Sequence, residues 1–116
     1  MKKLITLVVS LAVVSAGSLY ADVANGQKLY KKKGCASCHH PTKDQLAQGM
    51  GPSYQQVSAA YKKASGKAGM EKFLKGEGEA IVAPEKASIM KDQVKKTTKK
   101  LSDADRADIV DFILTH

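Results

Sequence analysis

Residues Cys35-Ala36-Ser37-Cys38-His39 set two thiols and an imidazole at the spacing C-x-x-C-H. Residue types, order and spacing are together demanded by one chemistry, the attachment of a c-type haem. On one turn of helix, positions i, i+3 and i+4 share a face, so Cys35, Cys38 and His39 can all address one flat object. Two thiols can add across the vinyl groups of a protoporphyrin as thioethers while the His39 imidazole bonds the iron. Three other readings compete for the same residues. A zinc site takes about four Cys or His ligands, and beyond the pentapeptide the chain offers no further Cys and only His40 and His116. A thioredoxin-like redox pair belongs beside a βαβ pattern, and no convincing strand precedes Cys35. A plain structural disulfide between Cys35 and Cys38 is the third. Haem attachment accounts for all three residues.

The elements that must position this motif read as helices. Asp22 to Lys33 has a good N-cap in Asp22, a helix-forming body and Gly34 to end it; Val23, Gly26, Gln27 and Tyr30 fall on one side. An interior glycine costs about 1 kcal/mol relative to alanine, which a close helix crossing at Gly26 would justify. His40 to Ser53 is rich in turn residues, with Pro41, Gly49, Gly51 and Pro52. Tyr54 to Ala64 then reads as helix on the spacing of Tyr54, Val57, Tyr61 and Ala64. Gly66 and Gly69 interrupt, and Met70 to Lys75 reads as a shorter helix with Met70, Phe73 and Leu74 inward, stopped by Gly76. Between Gly76 and Leu101 no strong periodic element stands out, apart from a helical turn around Glu85 to Met90. So long an irregular stretch is unusual in a compact domain unless it is functional, and wrapping a haem would make it so. The last helix is the clearest: Ser102 and Asp105 resemble a capping box, Leu101 occupies a staple position, and Ile109, Phe112 and Ile113 form an apolar stripe with Val110 beside it. Asp103, Asp105 and Asp108 sit where the helix dipole favours them.

Length and composition limit what kind of protein this is. The chain has 116 residues, 19 basic against 11 acidic, no Trp and two Phe. Met1-Lys2-Lys3, the apolar run from Leu4 to Ala16 and Ser18-Leu19-Tyr20-Ala21 have the layout of a secretory signal peptide. Cleavage is expected after Ala21, with Ala16 as the alternative, because Leu19 is large for its place before the cut. Leu4 to Ala21 also just reaches the roughly 18 residues at which a membrane anchor becomes credible, although its Gly, Ser and Thr content argues against one. Residues 22–116 then form one small basic domain, near the lower end of sizes that bury a comfortable core. With so little aromatic bulk, a buried haem would supply the missing apolar volume. Export also suits the motif, since thioether chemistry would claim thiols that otherwise meet an oxidising compartment.

Taken together, C-x-x-C-H near the mature N-terminus, a helix before it, a methionine-bearing loop after it and an amphipathic terminal helix resemble a class I c-type cytochrome. The resemblance covers residues 22–116 and implies an all-α fold in which crossed N- and C-terminal helices, shorter helices and loops wrap one covalent haem c. In that family a glycine and an aromatic on the first helix meet an apolar residue and an aromatic on the last; Gly26 and Tyr30 match the first pair, Ile109 and Phe112 the second. The family's Gly-Pro after the motif is matched by Gly51-Pro52, which implies that the Pro52 carbonyl accepts a hydrogen bond from the ligating His39 and raises its basicity. The usual sixth ligand is a methionine shortly before the last helix, and Met90 has that position. Met50, Met70, His40, His116 and an open site are the alternatives. The family's loops often carry a proline beside the methionine, whereas Pro84 is six residues away from Met90.

His39/Met90 ligation would fill both axial positions, raise the reduction potential relative to harder donors and leave no open site for substrate. The implied function is a periplasmic one-electron carrier between respiratory redox partners. Two alternatives remain: a small haem subunit of a larger redox enzyme, as in sulfur-compound oxidation, and a ligand-binding or sensing haem protein with a weak or open sixth site. No nucleophile and base stand at a spacing that argues for an independent enzyme. Lys28, Lys31, Lys32 and Lys33 before the motif, and Lys86, Lys91, Lys95, Lys96, Lys99 and Lys100 around Met90, would make a positive ring that steers a monomeric carrier toward acidic docking sites. Lys62, Lys63, Lys67, Lys72 and Lys75 show that basic residues are also spread widely. Anionic membrane surface is a weaker candidate partner, and nucleic acid a poor one for an exported chain.

Overall fold

A computed structural model describes residues 18–116, with side chains from Val23 onward. Among the described residues the chain is all-helical, with five α-helices and no strand: α1 Ser18–Lys32, α2 Tyr54–Lys63, α3 Gly66–Leu74, α4 Ala87–Lys96 and α5 Asp103–Leu114, joined by turns of 3-10 helix. Residues 1–17 of the expected leader lie outside the described residues, and the expected cleavage point after Ala21 falls within the backbone of α1.

α1 and α5 cross with their backbones nearly touching. A Cβ built on Gly26 would collide with the Asp108 carbonyl, lying 2.6 Å from its carbon and 2.8 Å from Phe112 Cβ. The glycine in mid-helix is therefore what the crossing requires. Asn25 ties the same crossing from its flank, donating from Nδ2 to Asp105 Oδ1 at 3.1 Å and to Asp108 Oδ2 at 2.6 Å. Below it Tyr30 packs on Phe112 with ring centroids 5.3 Å apart. Ile109, Val110, Phe112 and Ile113 are all buried, and with Leu29, Tyr54, Tyr61, Met70, Phe73, Leu74 and Val94 they make a continuous core into which every α-helix contributes.

Several boundaries differ from the sequence expectation. α1 starts at Ser18, so Asp22 lies inside the helix and does not cap it; nothing from Ser18 to Ala21 breaks a helix. α3 starts at Gly66 and includes Gly69, four residues ahead of the expected Met70. The stretch between Gly76 and Leu101 is mostly helical: Pro84–Lys86 forms a 3-10 turn that leads into α4, and Thr98–Lys100 forms another. Met90 therefore sits within a ten-residue helix, where the sequence suggests only a single helical turn in a methionine-bearing loop. Ser102 does cap α5, accepting from the Asp105 N–H at 3.1 Å. The reciprocal half of the capping box is not made; the Asp105 carboxylate accepts from Asn25 instead.

α4 and α5 are joined by a buried cation. Arg106 is 6 % exposed; its Nη1 donates to the carbonyls of Thr98 and Lys99, each at 3.2 Å, and to that of Leu101, while Nη2 meets Asp103. Three carbonyls left over by the turn after α4 are thus satisfied by one side chain. Thr98 completes the join by donating from Oγ1 to the Leu74 carbonyl at 2.7 Å, fixing that turn to the end of α3.

Candidate haem site

The motif follows α1 through one residue of special geometry. Gly34 has φ +80°, a region that residues with a Cβ rarely occupy, and it turns the chain into the 3-10 turn Cys35–Ser37. The Cys38 and His39 amides both return to the Cys35 carbonyl, at 3.2 and 2.9 Å. Cys35, Cys38 and His39 are thereby gathered on one tight turn, and all three line a single cavity of about 430 Å³. The two cysteines are not joined in a disulfide; Cys38 is exposed and Cys35 half-buried. Burial pushes the Cys35 thiol up from its ordinary value, partly offset by a hydrogen bond with Tyr54.

His39 is 9 % exposed and held from four directions. Its Nδ1 lies 2.8 Å from the Pro52 carbonyl oxygen. A carbonyl can only accept, so Nδ1 carries the proton and Nε2 keeps a free lone pair. The ring stacks on Tyr54 with centroids 5.3 Å apart and planes 21° from parallel. The His39 carbonyl accepts from the Tyr30 hydroxyl at 2.6 Å, and the preceding carbonyl, of Cys38, accepts from the Gly51 N–H at 2.8 Å. Burial lowers the basicity of the imidazole in spite of the Pro52 bond, which favours the neutral ring that a metal needs.

The Gly51-Pro52 pair approaches the ring because its first residue has no side chain: a Cβ on Gly51 would stand 2.5 Å from His39 Cε1 and 2.6 Å from Nδ1. Directly after it, Ser53 and Gln56 form a complete capping box for α2, with the Ser53 N–H donating to Gln56 Oε1 at 2.9 Å and the Gln56 N–H to Ser53 Oγ at 3.1 Å. The cap fixes where α2 begins and so places Tyr54 against His39. Ser-x-x-Gln before an apolar-periodic run is a helix start signature, and here it marks the beginning of α2. The place of Tyr54 in an apolar stripe signals burial but not its contacts with His39 and Cys35.

The candidate sixth ligands separate by position. Met50, Met70 and Met90 all line the cavity. Met70 is 1 % exposed within the core; Met50 is 44 % exposed on the loop that carries Gly51 and Pro52. Met90 lies half-buried on α4, packed against the core from the opposite end of the sequence. His40 and His116 are engaged elsewhere. His40 Nδ1 accepts the Thr42 and Lys43 amides at 3.1 and 3.0 Å. The His116 ring packs edge-on against Phe112 at 5.0 Å, and its Nδ1 is 3.1 Å from the Phe112 carbonyl.

The cavity fits a haem by its own chemistry. Its volume is that of an ordinary cofactor site, its walls include Val57, Phe73, Leu74, Val82, Ile109 and Ile113, and two thiols and an imidazole converge on it from one turn. Among the described residues, no cluster of three or more His, Cys, Asp and Glu offers a competing metal site.

Comparison with known proteins agrees with this geometry. The family profile described as Cytochrome c matches residues 23–116. A protein named cytochrome c2 from Rubrivivax gelatinosus is 33 % identical over 97 residues, covering 78 % of this chain and 96 % of its own length.

Proposed function

Because the chain belongs to the cytochrome c family and is a haem c electron carrier, we propose that Cys35 and Cys38 hold the haem as thioethers, that His39 and Met90 are its axial ligands, and that the mature protein works as a monomer in the periplasm. The observation that carries the reading is the Nδ1 contact of His39 with the Pro52 carbonyl at 2.8 Å. It uses up one ring nitrogen and leaves the other as the metal-binding atom of a ring that lines the cavity.

Bound haem supplies a one-electron couple; the chain's residues set its surroundings. The Pro52 carbonyl orients the His39 ring and raises its donor strength, and Tyr54 stops the ring from rotating by stacking on it. Met90 supplies a soft thioether, which favours the reduced state relative to a harder donor. The apolar walls keep water out, so that little around the site need reorganise when charge changes. With His39 and Met90 both holding the iron, no site would be left for a substrate, and the protein would serve as a carrier and not as an independent enzyme.

Export through a leader at residues 1–21 rests on the charged, apolar and small-residue pattern of that segment. The basic excess of the chain suits respiratory redox partners with acidic docking sites, through small and transient contacts. The test is the absorption spectrum of protein matured with haem-attachment machinery. A c-type spectrum with the weak near-red band of methionine-ligated ferric haem is expected. A haem spectrum lacking that band would refute the Met90 assignment, and a chain that acquires no haem would refute the whole reading.

A further inference from the structure

Two walls of the cavity come from distant parts of the chain. One is the loop leading from His39 to Pro52, which contributes Leu46 and Met50; the other is the segment 80–90, which contributes Ala83, Lys86 and Met90. One side chain links them across the opening: Lys86 Nζ donates to the Leu46 carbonyl at 3.1 Å, a contact spanning 40 residues of sequence. Lys86 stands at the end of the 3-10 turn Pro84–Lys86, immediately before α4. Three residues earlier, Ala83 has φ +46° and ψ +58°, the one non-glycine residue with positive φ among those described. That conformation is costly for alanine, and it departs from the extended backbone that Pro84 favours in the residue before it. A conformation of this kind persists only where its surroundings hold it.

We propose that Lys86 is a positioning residue: its bond to the Leu46 carbonyl straps α4 to the histidine-side loop, holding the Met90 wall closed over the site against the strain at Ala83. This rests on Met90 being the sixth ligand. When the strap opens about the Ala83-Pro84 hinge, the start of α4 is free to move and Met90 with it, and the iron becomes accessible to an outside base. The exchange is a simple substitution: the bond from the Met90 sulfur breaks, a bond from the incoming nitrogen forms, and the oxidation state of the iron does not change. Lys86 also lines the cavity, so its donor and its stem can be tested apart.

The experiment uses ferric holoprotein and free imidazole as the probe, with three variants. Lys86→Met keeps the stem and removes the donor; Lys86→Arg keeps a donor; Lys91→Met removes a neighbouring exposed charge on α4 as a control. Loss of a hydrogen bond of ordinary net strength predicts imidazole binding about threefold to tenfold faster in Lys86→Met, with the rate of the original protein largely restored in Lys86→Arg and unchanged in Lys91→Met. Amide hydrogen exchange of the same proteins should quicken in both 45–50 and 83–90 for Lys86→Met alone. Equal acceleration by Lys86→Met and Lys91→Met would reduce the effect to charge and overturn the proposal, as would unchanged exchange in both segments. If the starting protein lacks the methionine near-red band, the Met90 assignment has failed, and the exchange measurement still decides whether Lys86 straps the two walls.

Discussion

Gly51 stands so close to the ring of His39 that a single added carbon would lie 2.6 Å from Nδ1. The hydrogen bond from Nδ1 to the Pro52 carbonyl exists only because that carbon is missing. Gly51→Ala must push the ring or the Pro52 carbonyl away, adding strain from overpacking to loss of the bond. The expected cost is about 2 kcal/mol. Urea titration of the holoprotein checks it: the low-spin absorption should collapse at lower urea than in the original protein. An unchanged midpoint would mean that the ring is not held as described.

Met90→Ala is expected to retain the covalent haem, since both thiols and His39 are untouched. It should lose the near-red band of the ferric form and let carbon monoxide bind the ferrous form at neutral pH, which the original protein should resist. Met50→Leu and Met70→Leu should do neither. A Met90→Ala protein with an unaltered ferric spectrum would remove Met90 from the site and move attention to the other cavity methionines.

How far these features could be read in advance depends on how local their causes are. The C-x-x-C-H turn and α5 were legible because one is a contiguous motif and the other gathers Ile109, Val110, Phe112 and Ile113 behind a cap at Ser102. Gly26 was legible because a glycine in mid-helix needs a reason, and the crossing with α5 supplies it. α4 was not legible. Its buried positions Ala87 and Val94 and half-buried Met90 do have helical spacing, but Ile89 is 66 % exposed and the lysines around it obscure the pattern. Arg106 shows the opposite limit. A charged residue in an acidic helix reads as surface, and its burial follows from three carbonyls of the 98–101 turn that only the folded chain brings to it. Tyr54 sits in a correctly read helix, yet stacking on His39 depends on the Ser53–Gln56 cap and the Gly51 approach together.

The Gly26 crossing gives a stability prediction of two opposing parts. Gly26→Ala would gain about 1 kcal/mol of helix propensity, but the new carbon meets the backbone of Asp108, which cannot swing aside as a side chain could. Separating α1 from α5 should cost about 3 kcal/mol, for a net loss of about 2 kcal/mol by denaturant unfolding. A neutral or stabilised variant would show that the helices cross elsewhere.

Arg106 is expected to matter as much as an apolar core residue. Arg106→Met fills similar space yet leaves the Thr98, Lys99 and Leu101 carbonyls without their donor, at an expected cost of about 3 kcal/mol. Arg106→Lys keeps the charge but has no planar fork to serve carbonyls side by side, so it should recover less than half of the loss. Equal stability of the lysine variant and the original protein would show that charge alone, through Asp103, holds the turn. Because that turn carries the end of α4, faster amide exchange in 94–101 of Arg106→Met would show the same defect at its source, and no change there would place the role of Arg106 elsewhere in the core.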